Sequence, residues 1–397
     1  RAARRGRRVV LLEKNRKAGV KILMSGGTRC NLTQATDRRG IADAFGKQGR
    51  FLHSPLAALG PDEVVELFAA EGVATKVEST GKVFPVSNRA LDVQRAMLRM
   101  LEKTGAELRL DEPVTAIAPP SGAAGSGGAG GRFLITTSRG QYAARSVVIT
   151  SGGQSYPGCG TTGDGYAWSK RLGHRIVPPR PALAPMLSPA GWLQKLRGVT
   201  LPDAGMALGV AGGKPVDRGR GSLLLTHFGV SGPLAMNLSH VVTARPDAER
   251  WEAVCDFTPG VEEEALHRRL GGESEDAARP VGAVAETLAP RRLAESLLAL
   301  AETPPERRVA ELSKRQRRRV VDAFKRCRVP ITGTQGFKKA EVTAGGVDLR
   351  DVDSRTMQSR RTPGLFFAGE VLDLDGPIGG YNFQAAFSTG WLAGENA

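Results

Sequence analysis

Apolar residues near the start of the chain stand together between two polar stretches. Residues 9–12 read Val-Val-Leu-Leu, after a basic segment with a glycine at position 6 and directly before Glu13. A short apolar run bounded by turn residues predicts a buried strand, and the residues before it predict the end of a helix and a turn at Gly6. This order is typical of the second half of a βαβ dinucleotide-binding unit.

Helical and strand patterns alternate in the segment that follows. A helix is expected from a start signal at Pro61 to a stop at Gly72, and residues 74–86 predict a hairpin. A further helix is expected from a cap at Ser87 to a stop at Gly105, and a strand follows it. Strand–helix–strand order favours a parallel sheet.

The next segment returns to strands and glycine turns. Residues 113–137 predict two strands joined by a Gly/Ala/Ser loop, which we expect to be exposed and mobile because its composition cannot pack a core. Residues 146–153 predict a buried strand that ends in a glycine turn, and a short helix that stops at Gly173 follows.

A proline-rich segment before residue 184 marks a change of pattern. Short strands and turns are expected after it, then a mostly helical stretch, then strands again and a final helix near Tyr381. The sequence thus predicts an α/β domain with an insertion. Its predicted parts are residues 1–183 (first part of the α/β domain), 184–258 (β-rich), 259–333 (helical) and 334–397 (C-terminal part of the α/β domain).

Composition places the chain among ordinary globular proteins. It has 397 residues, of which 41% are hydrophobic and 24% are charged, and no apolar run is long enough to suggest a transmembrane helix. There is no signal-peptide pattern, and the four cysteines lack metal-ligand spacing. We therefore expect a cytoplasmic protein with no metal site and no membrane partner.

The net charge of +16 raises the question of an anionic partner. Its main basic run, residues 311–328, has apolar residues near helical spacing with Arg and Lys between them. This predicts an amphipathic helix with a solvated basic face. No nucleic-acid-binding motif accompanies the run, so the charge leaves nucleic acid open as an alternative partner without requiring it.

Glu13 is the first candidate for chemistry. A carboxylate at the end of the second strand of a dinucleotide fold accepts the ribose hydroxyls, ~20 residues after the glycine loop. Counting back from Glu13 puts that loop upstream of Arg1, so we expect the G-x-G-x-x-G motif to lie outside the given sequence. A plain strand end is the alternative interpretation of Glu13.

Two glycine-rich loops could approach a ligand. In residues 21–33 the small residues Ser25, Gly26 and Gly27 allow close backbone approach, Lys21 and Arg29 could face phosphate, and Asn31 could bond a ring edge. In residues 147–166 a strand runs into a Thr-Ser-Gly-Gly turn of the kind that passes a flavin nucleotide. Simple surface loops remain the alternative for both.

The C-terminal segment carries the strongest pattern. A strand over residues 365–368 ends in Gly369 and Glu370, and Gly379 and Gly380 then open a helix. Free N–H groups at a helix N-terminus would stabilise the negative charge that forms when an isoalloxazine is reduced. A packed helix after a glycine turn is the alternative.

Six blocks together resemble one family. "LLEKNRKAGVKILMSGGTRCNLT", "GKVFPVSNRALDV", "TSGGQSYPGCGTTGDGY", "LLTHFGVSGPLAMNLS", "VTAGGVDL" and "GLFFAGEVLDLDGPIGGYNFQAAFSTG" occur in the order found in BaiN-type NAD(P)/FAD-dependent oxidoreductases, which include aminoacetone oxidase-like flavoproteins. The resemblance implies an α/β two-dinucleotide-binding (Rossmann-like) FAD domain with an inserted β-barrel-like domain and a helical domain. It also implies FAD as cofactor and NAD(P)H as electron donor.

The resemblance also implies which residues bind FAD. Glu13 would hold the adenosine ribose, the loop from Ser25 to Asn31 would lie along the flavin and phosphates, and Val114 would pass the adenine. Thr28 stands where a third glycine is common in the family. The implied FAD-binding residues are Glu13, Lys14, Lys21, Ser25, Gly26, Gly27, Thr28, Arg29, Cys30, Asn31, Val114, Thr150, Ser151, Gly152, Gly369, Glu370, Gly379, Gly380, Tyr381 and Asn382.

Three functional interpretations remain open from the sequence. The first is a flavin oxidoreductase that passes hydride from NAD(P)H to a small organic acceptor such as an activated double bond, or that oxidises an amine with oxygen as final acceptor. The second is a flavin-dependent RNA-modifying enzyme that acts on tRNA, and the third is a truncated, non-catalytic chain that folds poorly or acts only as a scaffold. Without the upstream glycine loop, we expect the given chain to bind FAD weakly or not at all. Neither Cys30 nor His227 can be assigned as acid or base, and the oligomeric state is undetermined.

Overall fold

Two units make up the part of the chain that the computed structural model describes, which is residues 1–120, 131–245 and 250–397. Unit 1 contains Arg1–Pro181 and Ala340–Ala397, and unit 2 contains Ala182–Lys339. Unit 2 is therefore an insertion in the sequence of unit 1. The strands are β1 (Val10–Leu12), β2 (Thr33–Gln34), β3 (Thr75–Val77), β4 (Lys82–Pro85), β5 (Glu107–Arg109), β6 (Val114–Ala118), β7 (Phe133–Thr137), β8 (Gln141–Ala144), β9 (Val147–Ile149), β10 (Ile176–Ala182), β11 (Met186–Leu187), β12 (Thr200–Val210), β13 (Pro215–Leu225), β14 (Gly229–Ser231), β15 (Trp251–Asp256), β16 (Cys327–Ile331), β17 (Gly333–Thr334), β18 (Val342–Val347) and β19 (Leu365–Phe367).

Helices alternate with these strands in unit 1 and cluster in the second half of unit 2. The α-helices are α1 (Val20–Met24), α2 (Arg38–Ala44), α3 (His53–Ala58), α4 (Pro61–Ala69), α5 (Ala90–Glu102), α6 (Asp164–Arg171), α7 (Gly191–Gln194), α8 (Gly232–Thr243), α9 (Glu263–Arg269), α10 (Val281–Ala285), α11 (Arg291–Leu300), α12 (Lys314–Lys325) and α13 (Tyr381–Asn396). Among the described residues, no helix has the length and apolarity needed to span a membrane.

Unit 1 contains parallel strand pairs, as the strand–helix–strand order predicts. β1 pairs in parallel with β5, and β19 pairs in parallel with β9. Antiparallel sheets β2–β4–β3 and β6–β7–β8 flank them in sequence, and β10 pairs with β18. Parallel strands place their carboxyl ends at one edge, which is where ligand-binding loops occur in such folds. The loops after β1, β9 and β19 are the ones that carry the predicted site residues.

Two buried apolar clusters hold unit 1 together. One joins β9 and β19 to the last helix, with Ile149, Phe367 and Ala385 in its centre. The other lies between α4 and α5, where Phe68 and Val93 are buried. The helix α4 starts as predicted, because Pro61 occupies its first turn and Glu63 accepts from the Gly60 N–H at 3.0 Å.

Unit 2 is a seven-stranded sheet with helices packed on a shared core. Its hydrogen-bonded order is β16–β15–β12–β13–β14–β11–β17. The strands at the two ends of this order, β16 and β17, are separated in sequence only by Thr332. One core contains strand residues such as Leu208 and helix residues such as Leu297 and Phe324. The predicted β-rich and helical domains thus lie in one unit with one core.

Several local predictions differ from the structure. Residues 190–258 include α8, a helix of 12 residues that the strand-and-turn interpretation missed, although Leu234, Leu238 and Val241 follow helical spacing. Helix α5 begins after Arg89, without a side-chain cap, so the cap predicted at Ser87 is wrong. The loop predicted to be mobile falls on residues 121–130, outside the described residues.

Candidate functional site

Glu13 lies at the carboxyl end of β1, as predicted. Its N–H donates to the carbonyl of Arg109 at 2.9 Å, which continues the parallel pairing with β5. Its carboxylate Oε1 accepts from the N–H of Asn15 at 2.8 Å. The carboxylate is therefore oriented by the turn that follows the strand, at the edge where a ribose would bind in a dinucleotide fold.

The turn after Glu13 contacts the second predicted loop. The ammonium group of Lys14 donates to Asp164 Oδ2 at 2.6 Å, and Asn15 Nδ2 donates to the carbonyl of Cys159 at 3.1 Å. On its other side, the carbonyl of Glu13 accepts from the Glu112 N–H at 3.0 Å. Val114 follows that residue at the start of β6, so the structure brings Val114 to the Glu13 end of the site.

The loop after α1 has an unusual backbone. Gly26 and Gly27 have φ of 53° and 66°, and the non-glycine residues Thr28 and Cys30 also have positive φ, of 68° and 61°. Left-handed conformation costs a residue with a Cβ roughly 1–2 kcal/mol. Position 28 therefore suits glycine, and Thr28 is strained there.

Cys30 is a packing residue. Its side chain is fully buried in the cluster beneath α4 and α5. Burial raises the pKa of its thiol to about 12, against a smaller opposing effect of a hydrogen bond with Ser25. A protonated, enclosed thiol is a poor nucleophile, so the Cys30 side chain contributes packing and not nucleophilic chemistry.

The two cations expected to face phosphate are paired with carboxylates. Lys21 Nζ lies 2.5 Å from Glu370 Oε2, and Arg29 lies 2.6 Å from Glu78 Oε1. The Arg29 guanidinium also stacks 3.9 Å from the centre of the Phe84 ring. The Lys21–Glu370 pair has a structural consequence, because it joins the first predicted loop to the C-terminal one.

Glu370 is the point where three segments meet. Besides Lys21, its carboxylate accepts from the Thr343 N–H at 2.8 Å. A Cβ added at Gly153 would lie 2.3 Å from Thr343 Oγ1 and 3.1 Å from Glu370 Oε1, so only glycine fits there. The turn formed by Thr150, Ser151 and Gly152 thus ends directly against Glu370.

The two C-terminal glycines have different neighbours. A Cβ added at Gly379 would lie 2.6 Å from the ring of Tyr381. Gly380 has φ of 95° and lies where a Cβ would come 2.5 Å from the carbonyl carbon and oxygen of Thr33. Asn382 uses its amide on Gly376, accepting from its N–H at 2.8 Å and donating to its carbonyl at 2.9 Å. The immediate neighbour of Gly380 is therefore strand β2, and Asn382 fixes the loop before α13.

Gly369 differs from these glycines. It has φ of 74°, and a Cβ there would meet only Ala386, at 3.7 Å. Its N–H donates to Thr389 Oγ1 at 3.0 Å on α13. The start of the loop after β19 is thus held by α13, which also carries Tyr381 at its first position.

Two of the unpaired polar atoms of unit 1 lie in these loops. In the described part of unit 1, the buried side-chain atoms without a hydrogen-bond partner are Asn31 Oδ1, Gln34 Oε1, Ser151 Oγ, Tyr166 Oη and Arg180 Nε. Such atoms cost free energy unless a ligand or water satisfies them. Asn31 and Ser151 are among the residues assigned to FAD by resemblance, so the site fits a polar cofactor that supplies the missing partners.

Sequence reasoning missed Tyr166 and Gln34. Tyr166 is buried, and burial raises the pKa of its hydroxyl, with a further contribution from the charges of Glu370 and Asp373. It belongs to the "TTGDGY" block. Its neighbour in sequence, Gly165, packs against Ser151, because a Cβ added at Gly165 would lie 2.2 Å from Ser151 Oγ. The sequence block that contains Tyr166 could have indicated it, but only the residues of the glycine turn were predicted from that block.

His227 lies in unit 2, where it is exposed and stacks edge-on against Phe228 at 5.0 Å between ring centres. Within the described ranges, no group of three or more His, Cys, Asp or Glu side chains is arranged to hold a metal ion.

Comparisons with known proteins agree with the sequence blocks. The family model described as the HI0933-like protein Rossmann domain matches residues 1–396. The chain is 30% identical over 408 residues to a ribosomal RNA dihydrouridine synthase from Escherichia coli (strain K12), covering 100% of this chain and 93% of that protein. It is 30% identical over 394 residues to a 3-dehydro-bile acid delta(4,6)-reductase from Clostridium scindens, covering 98% of this chain and 92% of that protein. The resemblance stated from the sequence blocks is thereby confirmed.

Among solved structures, the chain is similar to 3-ketosteroid delta1-dehydrogenase from Sterolibacterium denitrificans in complex with 1,4-androstadiene-3,17-dione. The similarity covers 99% of this chain and 95% of that chain, with 12% sequence identity and a TM-score of 0.48.

Proposed function

Because the chain belongs to the HI0933-like Rossmann family, we propose that it is an FAD-dependent reductase that adds hydride to a C=C bond conjugated to a carbonyl group. NAD(P)H is the proposed electron donor. One observation carries the proposal: two relatives with unrelated substrates, each 30% identical over nearly the whole chain, are named for reductions of the same chemical type.

The shared chemistry follows from the names of those relatives. Dihydrouridine is uridine whose C5=C6 bond, conjugated to the C4 carbonyl, has been saturated. A 3-dehydro-bile acid with double bonds at positions 4 and 6 also has an alkene conjugated to a ketone. In both molecules the carbonyl makes the far alkene carbon electron-poor, so hydride adds there and a proton completes the reduction at the neighbouring carbon.

The residues of unit 1 support FAD as the cofactor. Bound FAD would supply a carrier that exchanges hydride with a nicotinamide and with an electron-poor carbon. Glu13 would accept the ribose hydroxyls, and Asn31 and Ser151 would use their unpaired oxygens on the cofactor. The Tyr166 hydroxyl is protonated at neutral pH, and burial raises its pKa further, so it can donate one hydrogen bond to a cofactor oxygen.

RNA is the proposed substrate class. The net charge of +16 favours a polyanionic substrate over a small carboxylic acid, since a polyanion can engage many cations at once. A small organic enone is the second candidate, favoured by the similarity to the bile-acid reductase. Both candidates require the same hydride addition, so they differ only in what the protein recognises around the reactive ring.

The test is a reductase assay on the purified protein with FAD and NADPH. Two substrates are compared: a ribosomal RNA fragment with unpaired uridines, and cyclohexenone as a small enone. Nicotinamide oxidation that depends on RNA, together with a mass gain of two hydrogens on a uridine, is the expected result. Turnover of cyclohexenone alone would shift the proposal to the small-enone substrate.

Two results would contradict the proposed reductase function. If FAD-loaded protein reduces neither substrate but oxidises an amine in air, with oxygen reduced to hydrogen peroxide, the chain is an amine oxidase. If it binds FAD and does neither, the proposed reduction is wrong.

A further inference from the structure

The basic residues between positions 307 and 328 fall into two groups, which differ in whether a carboxylate pairs with the side chain. In the later part of α12 and in β16, each basic side chain faces a carboxylate within unit 2. The ion pairs are Arg318 with Asp322, Arg319 with Glu302, Lys325 with Asp256, Arg326 with Glu263 and Asp322, and Arg328 with Glu252. This part of the basic run is therefore largely neutralised by the protein itself.

The residues that precede and open α12 lack such compensation. Arg307, Arg308, Lys314, Arg315 and Arg317 make no ion pair with any carboxylate among the described residues. Residues 306–318 contain six Arg or Lys but only two Glu in the sequence. We name Arg307, Arg308, Lys314, Arg315 and Arg317 the unpaired cation patch.

One hydrogen bond joins the two parts of the patch. Arg307 Nη1 donates to Gln316 Oε1 at 3.2 Å, which places the segment before α12 against its first turns. Arg308, Lys314 and Arg315 are exposed, and Arg317 Nε is buried without a hydrogen-bond partner. The nearby Glu311 closes a turn by accepting from the Arg308 N–H at 3.4 Å, so it is engaged by backbone.

This arrangement is unfavourable for the isolated helix. Cations near a helix N-terminus face its partial positive charge, and the first turn of α12 has no acidic residue to offset it. The Ser313–Gln316 capping box stabilises the start of the helix but adds no negative charge. A polyanion bound at the patch would convert this repulsion into attraction.

We propose that the unpaired cation patch binds the phosphate backbone of the RNA substrate. The choice of RNA rests on the proposed function, and the choice of this surface rests on the charge distribution. Guanidinium groups suit phosphate because their planar N–H forks match its oxygens, and most of the patch is arginine.

A membrane surface fits the patch less well. Amphipathic helices bind membranes by inserting their apolar face among lipids. The apolar face of α12 is committed to the core of unit 2, where Val320, Val321 and Phe324 are buried. Only its charged face remains for a partner, and a purely electrostatic surface is what a nucleic-acid backbone requires.

The test compares two variants of the full chain that lose the same number of positive charges. The patch variant replaces Arg307, Arg308, Lys314 and Arg315 by Gln. The control variant replaces Arg318, Arg319, Arg326 and Arg328 by Gln. Binding of a fluorescein-labelled ribosomal RNA stem-loop is measured by anisotropy across a range of salt concentrations, after thermal unfolding has shown that both variants fold.

The expected result is a loss of RNA affinity confined to the patch variant. Log K falls linearly with log salt, and each lost phosphate contact reduces the steepness of this line by about 0.7–0.9. The steepness should therefore decrease by about 3 in the patch variant. At moderate salt the affinity should fall at least tenfold, while the control variant stays close to wild type. Equal losses in both variants would show that only net charge matters and would overturn the proposal.

Three further outcomes are decisive: the first tests the membrane alternative, and the other two separate this inference from the proposed function. The wild-type protein could bind phosphatidylserine vesicles, and the patch variant could lose this binding while it still binds RNA. That result would assign the surface to membranes and overturn the proposal. RNA binding that depends on the patch, without reduction of uridine, would keep the patch and overturn the reductase function. Uridine reduction with the same RNA KM in wild type and patch variant would keep the reductase function and overturn the role of the patch.

Discussion

Gly380 packs against the backbone of Thr33, so close that a Cβ at position 380 would lie 2.5 Å from the Thr33 carbonyl oxygen. The first turn of α13 and strand β2 are thus joined through a glycine. Thr33 is itself fixed from the same helix, because its hydroxyl donates to Gln384 Oε1 at 2.6 Å. The contact ties the last helix to the loop that carries the predicted FAD residues.

Gly380→Ala is expected to destabilise the protein by about 3 kcal/mol. The added Cβ meets backbone that cannot move aside, and the residue has φ of 95°, which costs an alanine roughly 1–2 kcal/mol. Urea unfolding measures the change. Gly390→Ala on the same helix is the matched control, since a Cβ there meets nothing within 4 Å, and it should raise stability by about 0.5–1 kcal/mol. Equal effects at both positions would contradict the role of Thr33.

Thr28→Gly is expected to stabilise the protein by about 1 kcal/mol. Thr28 has φ of 68°, where glycine is favoured, and its hydroxyl bonds only the neighbouring Gly27 carbonyl, at 2.6 Å. Thr115→Gly, in strand β6, is the control for the same chemical change and should destabilise. If thermal unfolding shows that Thr28→Gly lowers stability, the left-handed conformation does not describe this loop.

Local patterns predicted the strands and glycine turns of unit 1 because each depends on neighbouring residues. Residues 9–12 contain β1, and Gly6, Gly72 and Gly105 all have positive φ at the expected turns. The burial predicted for this strand is wrong, because Leu11 is 39% exposed. Contacts between distant segments could not be foreseen. The pairing of Lys21 with Glu370, 349 residues apart, depends on the tertiary fold and redirects a lysine expected to face phosphate.

The same limit applies to glycine roles and charges. The sequence marked Gly380 as a special position, but only the structure identifies Thr33 as the close neighbour. The basic run predicted α12 and its buried apolar face, with Val320, Val321 and Phe324 inside. Which of its cations are neutralised depends on carboxylates from other elements, such as Glu252 and Glu302, and periodicity does not reveal them.

His174 is expected to make stability depend on pH. The side chain is buried, and burial lowers the pKa of its imidazole below the ordinary value of 6.5. The unfolded chain therefore binds the proton more readily, so the free energy of unfolding falls as pH drops through 6.5 toward the folded-state pKa. Above pH 6.5 this contribution is fully present.

Urea unfolding at a series of pH values on both sides of 6.5 measures the effect of His174. The His174→Gln variant should be less stable throughout, because Nε2 loses its 2.7 Å contact with Ser359 Oγ. It should also lose part of the decline at acid pH. The control is His53→Gln, which makes the same chemical change at an exposed position. An identical decline in wild type and His174→Gln would assign the pH dependence to other groups.

Glu13 is the residue on which FAD binding in unit 1 can be tested most directly. Its carboxylate is oriented at the carboxyl end of β1, with Oε1 accepting from the Asn15 N–H at 2.8 Å. If it also accepts the ribose hydroxyls, Glu13→Ala removes two charge-assisted hydrogen bonds, each worth roughly 1.5–3 kcal/mol. FAD affinity, measured by fluorescence titration, should fall by at least tenfold.

Glu13→Gln should retain part of the affinity, because an amide oxygen still accepts one hydrogen bond. Glu102→Ala, at the end of α5, removes the same charge away from the site and should leave FAD affinity unchanged. Equal affinity in wild type and Glu13→Ala would mean that Glu13 only ends a strand.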